Sequence, residues 1–297
     1  MATFLRNGHT MTDSDFSLEE PELTPDDIIG IDDPYFDTEN VGLVTGAASG
    51  IGRSTAVALA ENGLTVVGTD IDEEGLEGTV SMAEEMGADG DILVETGNLA
   101  EEDDVQRAAE RADEVGDLRF VANIAGMQHI SPVSEFPTEK YDLMQSVMVR
   151  GPFLTAKHTM PKILDNDDGV GAIGNMSSVH GHYATKDKAS YITAKHALTG
   201  LTRSIAAEGG GTLRGFSVSV GYVLTPLMVD QIEDTAEERG ISEQEVIEDV
   251  MLGQARTKEM MEPVEVANLF VFGFSSHGRH LNGTDMLWDG GFTTTYE

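Results

Sequence analysis

The sequence has no cysteine and few basic residues. The absence of cysteine excludes disulfides and thiolate metal sites, and we expect no metal site. With 18 lysines and arginines against 53 acidic residues, the chain has no basic patch to neutralise phosphates, which argues against nucleic acid and anionic membranes as partners. No apolar run approaches the ~18 residues of a membrane span, and the N-terminus lacks a signal pattern, so we expect a cytoplasmic protein.

The net charge of −35 has two interpretations, a disordered acidic chain or a folded protein with an acidic surface. Disorder predicts few apolar residues, whereas 40% of these 297 residues are hydrophobic and the apolar segments are periodic. The composition therefore favours one large folded domain with a lysine-poor surface, as in halophilic proteins, where molar salt screens self-repulsion.

The N-terminal residues differ from the rest of the chain. Eleven acidic residues and one arginine precede Val41, together with three prolines. We interpret residues 1–36 as an acidic extension, partly mobile, with a possible short helix beginning at Thr24. The folded domain is then expected to span residues 37–297.

A buried strand, a glycine turn and a helix follow from Val41, in the sequence V-G-L-V-T-G-A-A-S-G-I-G. Gly46, Gly50 and Gly52 allow a tight turn and close approach of a pyrophosphate to the helix N-terminus. The next strand ends at Asp70, where a carboxylate would bind an adenosine ribose and repel a 2'-phosphate. The alternative is that Asp70 is one more surface acid. We predict NAD rather than NADP.

Short apolar strands continue to alternate with amphipathic helices, including a helix over about 138–164. This order predicts an α/β fold with a Rossmann-like, doubly wound parallel sheet whose ligands lie at the carboxyl ends of the strands. Asn98, Asn123 and Ser178 come at such ends. Residues 228–262 are interpreted as a helical lid that excludes water, or alternatively as a pair of acidic surface helices.

Tyr191 and Lys195 lie four residues apart in a predicted helix, and therefore on one face of it. A free tyrosine has a pKa near ~10, so only about 0.1% is phenolate at neutral pH. An ammonium one turn away, helped by a positively charged nicotinamide, can lower that pKa. A chance surface pair is the alternative. Lysine usage argues against it, because three of the seven lysines fall within ten residues around Tyr191.

Four features of the chain together resemble the short-chain dehydrogenase/reductase family. They are T-G-A-A-S-G-I-G at 45–52, N-I-A-G at 123–126, Ser178 and the Tyr191/Lys195 pair. The resemblance implies a single domain, usually a homotetramer, that moves hydride between a nicotinamide cofactor and a carbonyl or alcohol. It implies Ser178, Tyr191 and Lys195 as catalytic residues. The implied cofactor-binding residues are Gly46, Ser49, Gly50, Ile51, Gly52, Asp70, Asn98, Leu99, Asn123, Ala125, Gly126, Tyr191, Lys195, Gly221, Val223 and Thr225.

Within this family, the segments around His129, His180 and Tyr191 look most like the D-3-hydroxybutyrate dehydrogenases. The resemblance implies a substrate carboxylate held by two glutamines, a histidine and a lysine beside Ser178 and Tyr191. The matching residues here are Gln128, His180, Lys188 and Gln231. Amide, imidazole and ammonium groups can together donate several hydrogen bonds to one carboxylate.

One departure from the family pattern bears on catalysis. Met148 stands where the family usually has an asparagine that holds a water of the proton relay, and a thioether cannot donate that bond. Two hypotheses follow. The first is an NAD-dependent dehydrogenase acting on D-3-hydroxybutyrate, or on another hydroxy acid, sugar acid or alcohol. The second is a catalytically impaired nucleotide-binding relative.

Overall fold

The computed structural model describes residues 4–6, 9–11 and 21–295, without the side chain of Glu238. Most of the segment 1–20 therefore lies outside the described residues. Within it, the short strands β1 (Phe4–Arg6) and β2 (His9–Met11) pair in antiparallel fashion. The predicted mobility of the extension stays a prediction.

A seven-stranded parallel sheet organises the rest of the chain, in the spatial order β5-β4-β3-β6-β7-β8-β9. Its strands are β3 (Asn40–Thr45), β4 (Thr65–Asp70), β5 (Ile92–Thr96), β6 (Asp117–Asn123), β7 (Gly171–Met176), β8 (Leu213–Val220) and β9 (Thr284–Trp288). Because helices cover both faces, the central strands are nearly continuous apolar runs, and every residue of β3 and β7 is buried. The predicted Rossmann-like α/β fold is confirmed.

The described residues form nine α-helices, six of which pack on the two faces of this sheet. They are α1 (Gly50–Glu61), α2 (Glu73–Met86), α3 (Glu102–Glu114), α4 (Thr138–Gln145), α5 (Gly151–Asp165), α6 (Ala189–Glu208), α7 (Pro226–Arg239), α8 (Glu243–Glu245) and α9 (Pro263–Phe274). One apolar cluster joins α1, α2 and α9 to one face of the sheet, and another joins α3, α5 and α6 to the other. Among the described residues, no helix combines the length and apolarity needed to cross a membrane.

The helix predicted over 138–164 is interrupted by a π-helical turn at Ser146–Arg150, between α4 and α5. Gly151 N donates to Ser146 O, five residues back. Pro152 explains the interruption, because it has no N–H to donate to the carbonyl four residues before it. The turn carries Met148, which is buried.

Residues 21–36 pack on the sheet domain. A single 3-10 turn, Pro25–Asp27, follows Thr24, where the short helix was predicted. Asp33 is buried and accepts a hydrogen bond from Ser276 N at 2.6 Å, and the Phe36 ring meets the Phe120 ring edge-on at 5.8 Å. This segment therefore covers part of the apolar core.

The segment predicted as a lid contains α7, α8 and a second π-helical turn, Val246–Met251. It has a small apolar core of its own, formed by Ile232, Val246, Ile247, Met251 and Leu252. The helical content agrees with the prediction. Movement of this segment stays a prediction.

Candidate active site

A cavity of about 440 Å³ opens at the carboxyl ends of the strands. It lies where the strand order reverses between β3 and β6, the usual ligand position in open α/β sheets. Every predicted site residue lines this cavity except Asn123. The fold therefore brings together residues that are up to about 180 positions apart in sequence, since both Gly46 and Gln231 contribute to its wall.

The glycine turn between β3 and α1 is closely packed against its neighbours. Gly46 has φ of +74°, and a Cβ there would lie 2.8 Å from the Ala125 backbone. A Cβ on Gly52 would lie 1.9 Å from Gly46 O. Because neither position tolerates a side chain, the turn stays tight and the N-terminus of α1 opens onto the cavity. This arrangement fits the pyrophosphate of a dinucleotide.

Asp70 ends β4 at the rim of the cavity. Its carboxylate accepts hydrogen bonds from Ala48 N at 3.3 Å and from Asp72 N at 3.2 Å. These bonds hold the carboxylate at the edge of the glycine turn, where an adenosine ribose would be recognised. Nearby, Asn98 Oδ1 accepts from Ala100 N at 3.0 Å, which fixes the exit from β5.

Asn123 lies below the cavity and not on its wall. Its Nδ2 donates to Asn175 Oδ1 at 2.9 Å, and Asn175 Nδ2 donates to Thr202 Oγ1 at 2.9 Å. All three side chains are buried. In this structure Asn123 ties β6 to β7 and α6. Its predicted contact with a cofactor stays a prediction.

Tyr191 and Lys195 lie one turn apart on α6, as predicted. Lys195 Nζ is 5.2 Å from the centroid of the Tyr191 ring and donates to Met176 O at 2.7 Å. Burial lowers the pKa of Lys195 to about 8. Burial also raises the pKa of Tyr191, while its hydrogen bond with Ser178 lowers it. Among the protein groups, Lys195 does not bring the pKa of Tyr191 below its ordinary value, because desolvation of the phenolate has the larger effect.

Ser178 and His180 occupy the turn after β7. Ser178 Oγ accepts from His180 N at 3.2 Å and lies 3.4 Å from His180 Nδ1. His180 Nε2 is 3.1 Å from Thr185 Oγ1, and the His180 ring stacks on Tyr183 at 5.1 Å. Burial, followed by the charge of Lys188, lowers the pKa of His180 to about 3. The imidazole is therefore neutral at physiological pH.

Lys188 and Gln231 meet across the cavity although they are 43 positions apart in sequence. Lys188 Nζ donates to Gln231 Oε1 at 3.3 Å, and each residue is 9% exposed. Burial, followed by the charge of Arg239, lowers the pKa of Lys188 to about 8. The Asp187 backbone has φ of 66°, and its carbonyl accepts from Ser131 N at 2.8 Å, which holds the Lys188 loop against the cavity.

An apolar wall of the cavity was missed by reasoning from the sequence. Leu143 and Val147 lie one helical turn apart and face the cavity, although Leu143 is 40% exposed. Their i,i+4 spacing, in the helical segment that follows the loop with Gln128, could have indicated this apolar wall. Other unpredicted apolar lining residues include Met127, Val179, Tyr222, Leu227 and Met228.

Met148 packs near Tyr191 but offers no hydrogen-bond donor there. It is 1% exposed and packs in a small cluster with Met144 and Ala194. A Cβ built on Gly126 would lie 3.8 Å from Met148 Sδ, so the thioether lies beneath the cavity floor.

In the part of the chain that the structure describes, no group of three His, Cys, Asp or Glu side chains is placed to bind a metal.

The fold, the glycine turn and the Ser178–Tyr191–Lys195 arrangement define a nucleotide-dependent oxidoreductase. A family model described as enoyl-(acyl carrier protein) reductase matches residues 46–293. The chain belongs to the short-chain dehydrogenase/reductase family, which binds a nicotinamide cofactor and acts on small molecules.

Three relatives illustrate the range of similarity. A D-beta-hydroxybutyrate dehydrogenase of Rhizobium meliloti (strain 1021) is 33% identical over 255 residues, covering 84% of this chain and 97% of that protein. An uncharacterized oxidoreductase of Bacillus subtilis (strain 168) is 33% identical over 265 residues, covering 86% and 98%. The crystal structure of levodione reductase has a TM-score of 0.82 at 28% identity, covering 88% of this chain and 100% of that one.

Proposed function

We propose that this oxidoreductase uses NAD to oxidise a small hydroxy acid, with D-3-hydroxybutyrate and its product acetoacetate as the favoured pair. The observation that carries the proposal is the buried ammonium of Lys188 beside Ser178 and Tyr191. No described carboxylate lies within 4.0 Å of Lys188 Nζ, although the chain has 53 acidic residues. Because burying an unpaired charge is costly, an anionic ligand is the partner that such a site requires.

The groups around Lys188 can recognise a carboxylate. Gln128 and Gln231 line the same cavity and supply amide N–H donors, while the ammonium supplies charge. The apolar wall formed by Leu143, Val147 and Tyr222 suits a short aliphatic chain. Similarity to a D-beta-hydroxybutyrate dehydrogenase supports this choice of substrate.

Tyr191 takes the hydroxyl proton of the substrate, and Ser178 donates a hydrogen bond to the same oxygen. Lys195 is placed one turn from Tyr191, where its charge favours the phenolate once substrate and cofactor exclude water. A bound NAD would accept the hydride. The glycine turn would hold its pyrophosphate, and the Asp70 carboxylate favours NAD over NADP because it repels a 2'-phosphate.

Two other functions have support from particular observations. Similarity to levodione reductase supports the same chemistry on another hydroxy acid, a sugar acid or an alcohol. Met148 supports a catalytically impaired relative that binds the nucleotide without efficient turnover.

The test is NADH formation with D-3-hydroxybutyrate and NAD in about 3 M KCl, with the L-enantiomer, NADP and a panel of other hydroxy acids as controls. Tyr191→Phe should remove nearly all turnover while cofactor binding by titration is retained. Turnover retained by this variant would contradict the proposed base. Cofactor binding without turnover on any member of the panel would favour the impaired relative.

We also propose a homotetramer in a salt-rich cytoplasm. The exposed large apolar side chains of the single chain include Phe153 at 52% and Trp288 at 55%, which suits burial in subunit contacts. Light scattering in molar salt should give four times the chain mass, and a monomer would contradict the proposal.

A further inference from the structure

This inference concerns how Ser178 is held in place for catalysis, and it rests on the proposed dehydrogenase function. Ser178 and His180 lie on a single 3-10 turn after β7, formed by residues 178–182 and called the catalytic turn below. A displacement of about 1 Å in a reacting group can cost about 100-fold in rate. The contacts that fix the catalytic turn therefore bear on the rate.

The backbone of the catalytic turn forms one hydrogen-bonded unit. Gly181 N donates to Ser178 O at 2.8 Å. His182 N donates to Val179 O at 2.9 Å. Ser178 Oγ accepts from His180 N at 3.2 Å, so the direction of this hydroxyl depends on the same backbone. A contact that holds one end of the unit therefore also places the catalytic oxygen.

The two ends of the catalytic turn are anchored to the sheet in different ways. Just before the turn, Ser177 N donates to Val218 O of β8 at 2.8 Å. At its end, His182 Nε2 lies 2.9 Å from Asp285 Oδ2 of β9 and 3.2 Å from Ser219 Oγ of β8. Because a carboxylate only accepts hydrogen bonds, the imidazole nitrogen is the donor to Asp285.

Asp285 is itself held in position. The hydroxyls of Ser217 and Ser219, both buried, donate to its Oδ1, so its Oδ2 is left for His182. Among the described side chains of the catalytic turn, only that of His182 is hydrogen-bonded to a strand of the sheet. The contact with Asp285, between residues 103 positions apart in sequence, therefore fixes the end of the turn.

We propose that His182 is a positioning residue for the oxidation and that Asp285 holds it in this role. Their hydrogen bond keeps the catalytic turn in the place from which Ser178 donates to the substrate oxygen while Tyr191 takes the proton. The His182 side chain does not line the active-site cavity. Its loss should therefore lower kcat and leave the binding of NAD and of the acid unchanged, as when a contact made only in the transition state is lost.

Substitution of His182 gives the first test, and the side chain is 36% exposed, so its removal leaves no buried void. His182→Ala should lower kcat by about 10- to 100-fold, with Kd for NAD and KM for the acid unchanged. His182→Gln should retain most of kcat, because its amide can donate to Asp285 in place of the imidazole. A retained kcat in His182→Ala, or a loss that His182→Gln shares, would overturn the proposal.

His158→Ala is the matched control. His158 Nε2 lies 3.2 Å from Glu102 Oε1, a contact of the same kind between α5 and α3, and His158 also lies outside the cavity wall. The kcat of this variant should equal that of the unsubstituted enzyme. An equal loss in His158→Ala and His182→Ala would show that removal of any such pair slows the enzyme, which would overturn the specific role of His182.

A double-substitution cycle separates positioning from general damage. In a Ser178→Ala background no hydroxyl is left to place, so His182→Ala should lower the remaining kcat, measured with enzyme in excess, by less than about threefold. The full loss in this background would overturn the proposal, because independent effects multiply.

Amide hydrogen exchange supplies a readout that needs no turnover. The peptide that contains residues 178–182 should exchange faster in His182→Ala than in His158→Ala, while the rest of the sheet is unchanged, because the end of the turn is released. Unchanged exchange in this peptide would overturn the positioning role. Absence of turnover in the unsubstituted protein would instead contradict the proposed function, and the exchange result would still decide whether His182 holds the turn.

Discussion

If Lys188 binds the substrate carboxylate as proposed, the affinity for an acidic substrate should depend on pH in a defined direction. Its pKa lies at about 8 because the side chain is buried and Arg239 is nearby. The ammonium is therefore present below about pH 8 and is lost as the pH rises through that value. We expect KM for D-3-hydroxybutyrate to be constant below this pKa and then to rise about tenfold per pH unit, since one proton is lost.

The size of the increase is limited by what the charged contact contributes. A hydrogen bond to a charged group contributes roughly 1.5–3 kcal/mol, which corresponds to roughly 10- to 150-fold in affinity. KM should therefore level off at this multiple of its value at neutral pH. Lys188→Gln can still bond with Gln231 but carries no charge, so its KM should be raised by the same factor and should no longer depend on pH.

Lys195 complicates the assay because burial places its pKa at about 8 as well. Its titration affects every substrate equally, whereas that of Lys188 affects only anionic ones. The ratio of kcat/KM for the acid to kcat/KM for its uncharged methyl ester removes the common contribution. A ratio that stays constant from about pH 6 to about pH 10 in the unsubstituted enzyme would refute the assignment of Lys188 to the carboxylate.

Four further predictions concern the cofactor turn and the surface. Gly52→Ala places a Cβ 1.9 Å from Gly46 O, so it should lower the free energy of unfolding by about 1–3 kcal/mol or more and weaken NAD binding. Gly200→Ala, where nothing lies within 4 Å of the added Cβ, should instead stabilise by about 0.4–1 kcal/mol in denaturant titrations. Asp70→Ala should raise the affinity for NADP relative to NAD by about tenfold or more, because a like charge is removed; an unchanged ratio of dissociation constants would contradict the role of Asp70. With a net charge of −35, the melting temperature should rise between about 0.1 M and about 3 M KCl as the Debye length falls below about 3 Å, and equal values would argue against a halophilic surface.

Local patterns in the sequence were sufficient for the fold and for part of the site. The strand–glycine turn–helix order around Gly46 and Gly52 depends on steric limits of neighbouring residues, and the Tyr191–Lys195 pair depends on the repeat of one helix. Both are properties of short segments, so reading the residues in order was enough. The family resemblance then supplied the positions of Gln128, His180 and Gln231.

The electrostatic character of the site was decided only by the tertiary structure. Lys188 and Gln231 meet although they are 43 positions apart in sequence. The pKa of Tyr191 is raised because the side chain is desolvated, although Lys195 lies one helical turn away. Asn123 and Asn98 both lie at the carboxyl end of a strand, but Asn123 bonds to Asn175 beneath the cavity whereas Asn98 lines the cavity wall. Sequence spacing determines which residues share a helix face or a strand end, whereas desolvation and long-range contacts depend on how the whole chain packs around them.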